Sequence, residues 1–292
     1  MISIIITAYK EEKTIGKAIE FIIANNLKDY EIIVTAPDDE TLNIAKSYQK
    51  DNKRIKLLRD TGKGKPAALN QALLRSKGEI LILTDGDIYI DKNSLKPLLK
   101  PFERKEIGAV SGNPVSLNHK DNMLGYWAYW LTRVASDRRI ESVKNNKRFF
   151  CSGYLFAIRK SLFPSLPENL LSEDGYISNI VYEKGYLIDY SPKSIAYIRY
   201  PTNFKDWIIQ KKRSAGGYNQ IKKLTKIEMR SFKKESIGGI FYFFKYISNF
   251  REFLWLIELF FARIYLWIVI YRDINIKKKS HGEIWKRVES TK

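Results

Sequence analysis

The sequence is poor in cysteine and histidine. Cys151 is the single cysteine, so the chain has neither an internal disulfide nor a cysteine metal site, and a reducing compartment suits it. The two histidines, His119 and His281, have no partner at metal-ligand spacing, and we expect both to be surface or packing residues.

Other common signals are also missing. The amino-terminal stretch MISIIITAYKEE lacks the basic region of a signal peptide, and we expect it to be a first strand. The glycine-rich turn TGKGKPAALN, residues 61–70, lacks the G-x-x-x-x-G-K-[ST] spacing of a Walker loop. No internal repeat or low-complexity linker interrupts the chain.

Positive charge is in excess. The 51 Lys and Arg residues outnumber the 32 Asp and Glu residues, which gives a net charge of +19 and favours a polyanionic partner such as nucleic acid, anionic lipid or a phosphorylated substrate. Between Lys205 and Lys292 there are 20 basic and 8 acidic residues, so most of the excess lies in this region.

Short apolar runs alternate with helical patterns, which predicts an α/β fold with a parallel sheet and right-handed crossovers. The predicted strands are Ile2–Thr7, Tyr30–Ala36, Ile55–Leu58, Glu79–Thr84, Ala109–Val115, Gly153–Ile158, Leu187–Tyr190 and Ala196–Tyr200. The predicted helices are Thr14–Asn25, Asp39–Lys50, Pro66–Arg75, Ser94–Lys105, one after Glu173, and Phe204–Gly216; an aromatic segment covers Tyr126–Trp130.

An acidic pair follows one of the buried strands. Asp85 and Asp87 flank Gly86 at the end of the apolar run ILIL, where open α/β sheets bind their ligands. Two hard carboxylate ligands suit Mg²⁺ or Mn²⁺, and the missing side chain of Gly86 would let a ligand approach. The alternative is a solvated Asp-Gly turn.

Polar residues also follow the other strands, and they predict a crevice at this edge of the sheet. Thr7 to Glu11 follow the first strand, and Asp38 follows the second. Lys63 and Lys65 lie in a glycine-rich turn before a helix, which is typical of a phosphate site but also of a flexible solvated turn.

Two further segments carry candidate functional residues. In SEDGY, Asp174 is a candidate general base, although Glu173 and Asp174 also fit simple helix capping by Ser172 and dipole compensation. In WIIQKKRS, Trp207, Gln210 and Arg213 lie three residues apart on one side of a helix, and Arg213 is either a diphosphate ligand or a surface residue.

Together these segments resemble the inverting glycosyltransferases of family two, which have the nucleotide-diphosphosugar-binding GT-A fold. The matching segments are TAYKEE, the aspartate after the second strand, GKPAALN, the D-x-D motif, CSGYLFAIRK, the E-D pair and Q-x-x-R. Ser214 stands where the family has a tryptophan, and TAP precedes Asp38 where DDGS is usual. The resemblance covers about three quarters of the chain.

The resemblance implies a role for each matching residue. Asp174 is the implied catalytic base, and Asp85 and Asp87 are the implied ligands of Mg²⁺ or Mn²⁺. Gly153, Glu173 and Trp207 are the implied acceptor-binding residues. The implied donor-binding residues are Thr7, Ala8, Tyr9, Glu11, Asp38, Lys65, Asp85, Gly86, Asp87, Gln210 and Arg213.

The implied reaction transfers a sugar from a nucleotide-diphosphosugar to a hydroxyl acceptor with inversion of configuration, and the acceptor is expected to be a lipid-linked or polysaccharide glycan. The implied domains are a GT-A domain over residues 1–234 and a membrane-associated helical tail over residues 235–292. Within the first domain, residues 1–115 form the nucleotide-sugar half and residues 116–234 the acceptor and catalytic half.

The tail contains a long apolar segment, Phe253–Tyr271, which is interrupted only by Glu258 and Arg263. Each of these charges costs about 2.5 to 3.5 kcal/mol at the bilayer centre, and a single crossing would place one basic flank on the wrong side. We therefore predict one or two helices on an anionic membrane surface, at the cytoplasmic face of the cell membrane, or a hairpin with Ile237–Phe250. The alternative is a buried packing helix or an oligomer interface. The basic flanks are Lys233, Lys234, Lys245 and Arg251 before the segment, and Arg272 and Lys277–Lys279 after it.

Three other functions compete with this interpretation. The charge of +19 and the many aromatic residues also occur in nucleic-acid-binding proteins, but here the basic residues flank an apolar segment, and the acidic crevice would repel a phosphate backbone. We therefore predict no nucleic-acid partner.

A nucleotidyltransferase would share the sheet and the metal but has no need of the E-D and Q-x-x-R segments. An inactive nucleotide-sugar-binding module would not need the D-x-D, E-D and Q-x-x-R motifs together, so their joint presence favours an enzyme.

Overall fold

The computed structural model describes residues 1–225, 242–277 and 288–291. The strands are β1 (Ile2–Thr7), β2 (Tyr30–Ala36), β3 (Ile55–Arg59), β4 (Ile80–Asp85), β5 (Tyr89–Ile90), β6 (Ile107–Ser116), β7 (Leu155–Arg159) and β8 (Leu187–Ile198). The α-helices are α1 (Ile15–Ile23), α2 (Asp39–Asp51), α3 (Lys65–Arg75), α4 (Leu95–Leu99), α5 (Met123–Lys144), α6 (Glu173–Glu183), α7 (Phe204–Thr225) and α8 (Phe250–Tyr271). Short 3₁₀ helices cover Lys100–Glu103, Lys160–Leu162 and Glu289–Thr291, and a π-helical turn covers Arg272–Ile276.

The eight strands form one mixed sheet in the order β3-β2-β1-β4-β7-β6-β8-β5. The first four strands are parallel, and β7 then runs antiparallel to both β4 and β6. The continuous apolar runs of β1, β2 and β4 are buried because helices follow them as crossovers, as the alternating pattern predicts. The predicted α/β order of the first four strands is therefore confirmed.

Three elements differ from the sequence-based prediction. The aromatic segment Tyr126–Trp130 belongs to the long helix α5, whose buried residues all lie between Gly125 and Val134. The two strands predicted at Leu187–Tyr190 and Ala196–Tyr200 are one strand, β8. This strand continues through Pro192 because Pro192 and the next residue are exposed, where a missing N–H leaves no buried group unpaired. The helix predicted at Ser94–Lys105 is short and passes into a 3₁₀ turn.

The described chain divides into two compact units. The first unit contains residues 1–115 and 139–198, and thus the sheet with helices α1 to α4 and α6. The second unit contains residues 116–138 and the described residues from 199 to 291. Its core is aromatic: the Trp127 ring lies 5.3 Å from that of Trp207, and the Trp127 Nε1 donates to the Trp255 carbonyl over 2.6 Å.

Helix α8 belongs to the second unit, and only one of its faces is buried. It is the one helix among the described residues that is long and apolar enough to cross a membrane. The boundary predicted near Lys234 lies outside the described residues, as do residues 237–241 of the proposed hairpin segment and Lys278, Lys279 and His281. The division into residues 1–234 and 235–292 stays a prediction. The buried face consists of Glu252, Leu256, Leu259, Ala262, Leu266, Val269 and Ile270.

Candidate active site

The first acidic residue of the D-x-D motif is fixed by the pairing of two strands. Asp85 is the last residue of β4 and lies opposite Thr7, the last residue of β1. The Thr7 hydroxyl donates to Oδ1 of Asp85 over 2.7 Å. Because β7 runs antiparallel to β4, the turn before β7, which contains Gly153, begins at the same edge of the sheet. The predicted convergence of strand ends at this edge is therefore observed for Thr7 and Asp85, and Gly153 lies at the same edge.

Gly86 and Asp87 form a tight turn after this strand. The Gly86 N–H donates to the Thr7 carbonyl over 2.9 Å, and the Ile88 N–H closes the turn on the Asp85 carbonyl over 3.2 Å. A Cβ at position 86 would lie 2.9 Å from the Cβ of Ala8. The glycine therefore makes room for the chain's own β1 loop, where the sequence had indicated the approach of a ligand. Asp87 is half-buried in the turn.

Lys65 joins two carboxylates from distant parts of the chain. It is the first residue of α3, after Gly64, which caps the helix at φ 96°, a left-handed conformation that favours glycine. The Lys65 Nζ lies 2.7 Å from Oδ1 of Asp85 and 2.6 Å from Oε1 of Glu173. Burial lowers the pKa of Lys65, but the charges and hydrogen bonds of the two carboxylates raise it by more, so the pKa lies above its ordinary value.

Asp174, the candidate base, is oriented by two hydrogen-bond donors. The Gly153 N–H donates to Oδ2 over 3.1 Å, and the Ser172 hydroxyl donates to Oδ1 over 2.6 Å. Ser172 is the residue at the N-cap position of α6, but its side chain makes no capping hydrogen bond to the helix backbone. Capping by Ser172, the alternative in the sequence analysis, is therefore not observed, and this hydroxyl instead holds Asp174.

The backbone around Asp174 is supported by residues that the sequence did not single out. The Ser178 hydroxyl donates to the Asp174 carbonyl over 2.6 Å and accepts from the Cys151 N–H over 2.9 Å. Burial raises the pKa of the Cys151 thiol to about 12, so Cys151 is neutral at physiological pH. Nothing in the sequence distinguishes Ser178 from other helical serines.

Asp38 caps helix α2. Its Oδ1 accepts from the Thr41 N–H over 3.0 Å, and its Oδ2 accepts from the Lys10 N–H over 2.9 Å. Burial raises the pKa of Asp38, but these hydrogen bonds together lower it by more, so the pKa lies below its ordinary value. The predicted contact of Asp38 with the donor nucleotide stays a prediction, and the sequence did not indicate its capping role.

The β1 loop contains one buried and one exposed candidate residue. Glu11 is buried, and its carboxylate accepts from the Thr14 hydroxyl over 2.8 Å at the start of α1. Tyr9 is 45% exposed, and the Lys10 ammonium lies 5.5 Å from its ring centroid. Glu11 thus shapes the loop that presents Tyr9.

Two residues near the turn before α3 have structural roles. Asp60, which belongs to none of the sequence motifs, is buried and accepts from the Thr35 hydroxyl over 3.1 Å and from the Gly62 N–H over 2.8 Å. Its position directly after β3 was the available signal. Asn70 of the GKPAALN segment exchanges two hydrogen bonds of 2.9 Å with the backbone of Leu166.

The remaining candidates, Trp207, Gln210 and Arg213, lie on α7 in the second unit. Trp207 is 2% exposed and stacks on Phe204 with a centroid distance of 5.8 Å. Gln210 is buried, and among the described residues its Oε1 has no hydrogen-bond partner. The roles of these three residues toward donor and acceptor stay predictions.

The residues present fit a divalent cation that a ligand helps to hold. Among the described residues, no three His, Cys, Asp or Glu side chains come together as a metal site. Asp85 and Asp87 offer carboxylate oxygens, and Mg²⁺ and Mn²⁺ commonly bind one or two carboxylates and complete their shell with water and phosphate oxygens.

Comparison with known proteins identifies relatives in sequence. The family model described as glycosyl transferase family 2 matches residues 3–166. The chain is 29% identical over 271 residues to a probable glycosyltransferase, YdaM, of Bacillus subtilis strain 168, covering 83% of this chain and 61% of the relative. It is 22% identical over 231 residues to the poly-beta-1,6-N-acetyl-D-glucosamine synthase of Staphylococcus aureus strain COL, covering 75% of this chain and 55% of the relative. The chain thus spans less than two thirds of these curated relatives.

Comparison with solved structures shows the fold. The mannosyltransferase PcManGT from Pyrobaculum calidifontis, in complex with GDP-Man and Mn²⁺, matches with a TM-score of 0.66 at 16% identity, over 96% of this chain and 88% of that one. Staphylococcus aureus TarS 1-349, in complex with UDP-GlcNAc, matches with a TM-score of 0.51 at 19% identity, over 84% and 73%. The GT-A fold implied by the sequence is confirmed.

Proposed function

The chain belongs to glycosyl transferase family 2, whose model matches more than half of its length, and from this premise we propose that it is a divalent-metal-dependent inverting glycosyltransferase. It moves a sugar from a nucleotide-diphosphosugar to a hydroxyl acceptor. The observation that carries this proposal is the arrangement of Asp85, Lys65 and Glu173. It places the Lys65 ammonium and the Asp85 carboxylate beside the helix that contains Asp174.

The donor side of the site consists of Asp85, Asp87 and Lys65. Asp85 and Asp87 would hold Mg²⁺ or Mn²⁺, which supplies positive charge to the donor diphosphate when bound. Lys65 keeps a permanent ammonium beside Asp85 and adds to the positive charge available to the departing diphosphate. Thr7 holds Asp85 in place through its hydroxyl.

The acceptor side consists of Asp174 and the groups that orient it. The acceptor oxygen attacks the anomeric carbon from the face opposite the diphosphate, the carbon–oxygen bond to the diphosphate breaks, and Asp174 takes the hydroxyl proton. One displacement inverts the configuration without a covalent intermediate. The Gly153 N–H and the Ser172 hydroxyl fix the carboxylate orientation for this proton transfer.

Related structures support the choice of donor class. The two structural neighbours bind GDP-Man and UDP-GlcNAc, and one of them is in complex with Mn²⁺. Both ligands are nucleotide-diphosphosugars, so this class is the donor we propose here.

A donor panel tests the proposal directly. Purified protein is incubated with UDP-, GDP- and dTDP-sugars with Mn²⁺ or with EDTA, and donor binding and nucleoside diphosphate release are measured. We expect one donor class to bind in a metal-dependent manner, and Asp87→Ala to abolish this binding without loss of fold. Asp51→Asn, at an exposed site at the end of α2, is the control. Pyrophosphate formation from a nucleoside triphosphate and a sugar phosphate would instead indicate a nucleotidyltransferase.

We further propose that the acceptor lies at an anionic membrane surface, as a lipid-linked or polysaccharide glycan. Helix α8 packs one face into the second unit and exposes large apolar residues on the other, among them Phe261 at 62% and Ile268 at 61%. Exposed basic residues lie near both ends of the helix, including Arg251 and Arg272. Burial of apolar side chains and attraction to anionic lipid act together at such a surface.

A further inference from the structure

We propose that Lys65 is a positioning residue that connects the donor carboxylate Asp85 to the base-bearing helix α6 through Glu173. This inference rests on the proposed function and deepens it. In this inference the Lys65–Glu173 ion pair fixes the position of Asp174 relative to the donor. This role is additional to any direct contact of Lys65 with the donor.

The geometry gives Lys65 two simultaneous partners. Its Nζ lies 2.7 Å from Asp85 and 2.6 Å from Glu173, so two of the three ammonium donors are committed within the protein. The Thr7 hydroxyl donates to the same oxygen of Asp85 as Lys65 does. The donor-side end of this connection is therefore anchored on the sheet.

The other end of the connection is the first residue of α6. The Glu173 side chain is only 12% exposed, and a buried carboxylate without a nearby cation is strongly disfavoured. The next residue is Asp174, so a movement of Glu173 away from Lys65 displaces the start of the helix and the base with it. Compensation of the helix dipole alone would require no lysine at this distance.

A second contact between the same parts of the chain makes this inference testable. Asn70, further along α3, exchanges two hydrogen bonds with the backbone of Leu166, in the segment before α6. This contact does not involve Lys65, so we expect variants at Lys65 to keep the fold. Loss of the ion pair then changes the local position of α6 and leaves its attachment intact.

The test is a double-mutant cycle on Lys65 and Glu173, with donor affinity measured apart from turnover. The variants are Lys65→Met, Lys65→Arg, Glu173→Gln and the combination of Lys65→Met with Glu173→Gln. Two exposed residues, Lys46 on α2 and Glu183 at the end of α6, provide the controls Lys46→Met and Glu183→Gln.

We expect Glu173→Gln to leave the donor Kd within about threefold of the parent and to lower kcat by roughly 10- to 100-fold, as a misplacement of about 1 Å does. Lys65→Met should lower kcat by a similar factor and also weaken donor binding, because it removes a positive charge beside Asp85. The double variant should show a kcat within about threefold of the lower single variant, since both changes break one contact. Lys65→Arg should recover most of the lost kcat.

Parent-like turnover in Glu173→Gln, or losses in kcat that multiply in the double variant, would overturn the inference and leave the proposed function in place. If Glu173 instead bound the acceptor directly, Glu173→Gln would raise the acceptor KM to the same extent with and without Lys65→Met. That result would also overturn the inference. A parent protein that binds no nucleotide-diphosphosugar and transfers none overturns the proposed function, and this inference with it.

Discussion

Thr7 and Asp85 face each other at the ends of two paired parallel strands, and the Thr7 hydroxyl donates to Oδ1 of Asp85 over 2.7 Å. The register of β1 and β4 sets this contact, because each residue is the last of its strand. This hydrogen bond at the end of two buried strands fixes the position of the Asp85 carboxylate, which would be less well defined in a loop. This is the relationship on which the donor side of the site depends.

Replacing Thr7 by valine should weaken donor binding in the presence of Mn²⁺. The substitution keeps the shape of the side chain but removes the donor to Asp85, and it should lower the free energy of unfolding by about 1 to 2 kcal/mol. Thr35→Val is the matched control, since the buried Thr35 hydroxyl on β2 donates to Asp60, the residue directly after the neighbouring strand β3. Urea unfolding and donor titration together measure both effects.

Both valine variants should lose similar stability, but only Thr7→Val should lose donor affinity, and Thr7→Ser should retain it. Equal loss of affinity in the two valine variants would show that donor binding responds to general destabilisation, and it would remove Thr7 from the predicted site.

Asp174→Asn should separate chemistry from binding. An amide cannot take the acceptor proton, so kcat should fall by roughly 10² to 10⁴, the range of general-base contributions. Donor affinity should stay within the error of a titration, because Asp174 is proposed to act on the acceptor. Ser172→Ala removes one of the donors that orient Asp174 and should give a smaller loss of kcat at unchanged donor affinity. Loss of donor binding in Asp174→Asn would make Asp174 a structural residue.

Variants of Asp38 distinguish its role as a helix cap from the predicted contact with the donor nucleotide. Asp38→Ala removes the acceptor for the Thr41 and Lys10 N–H groups and should lower the free energy of unfolding by about 1 kcal/mol at neutral pH. Asp38→Asn keeps a capping oxygen and should lose less than about 0.5 kcal/mol. The neighbouring Asp39→Ala, which breaks an exposed ion pair with Arg59, is the control and should also have a small effect.

The pH dependence of stability gives the same residue a second test. Because folding lowers the pKa of Asp38, its contribution is present above the ordinary value of 3.8 and is lost as the pH falls through the lowered value. The difference in unfolding free energy between parent and Asp38→Ala should therefore shrink in acid. If Asp38 contacts the donor nucleotide as predicted, Asp38→Asn should bind nucleotide more weakly at unchanged stability.

The strands that build the donor side could be read from the sequence because their apolar runs are continuous. Ile2–Thr7 and Tyr30–Ala36 were predicted with the bounds that the structure shows. Helix α5 was not predicted because Tyr126, Trp127 and Trp130 have low helix propensity, and their burial depends on other helices of the second unit. Local pattern thus identifies strands that are buried on both faces and misses a helix that tertiary packing stabilises.

The site residues were found as types, but their contacts were not. Sequence order placed Asp85, Lys65 and Glu173 in three separate motifs, and no spacing rule indicates that one ammonium contacts both carboxylates. The same holds for Asn70 and Leu166, whose contact depends on how the segment before α6 returns to α3. The motifs gave the candidate chemistry, whereas the fold supplied the partners that orient it.

The exposed face of α8 leads to the last prediction. Leu254, Phe261, Tyr265 and Ile268 are all more than two-fifths exposed, although apolar side chains of this size are usually buried in a water-soluble surface helix. Glu258 lies between Leu254 and Phe261 on the exposed side, and a carboxylate there disfavours deep insertion. The pattern therefore favours a helix that lies in the interface of an anionic membrane.

Deleting the tail would not test this idea cleanly, because Leu256, Leu259 and Leu266 of α8 pack in the same core as Trp127. Substitutions on the exposed face avoid the problem. Phe261→Ser combined with Ile268→Ser should lower binding to vesicles that contain phosphatidylglycerol by at least about tenfold, since each apolar side chain contributes on the order of 1.5 kcal/mol when buried. The control is Leu74→Ser, at an 83% exposed leucine on α3 in the first unit.

Vesicle flotation at low and high salt measures the effect. The parent and Leu74→Ser should float with anionic vesicles, less so at high salt because the attraction of basic residues to the lipid is screened. Neutral phosphatidylcholine vesicles should bind less of the parent. Absence of binding to anionic vesicles, together with dimerisation that the double substitution abolishes, would make this face a protein interface. Retention of the parent in membranes through high salt and alkaline washing would show a spanning helix, in which Glu258 and Arg263 must find partners within the bilayer.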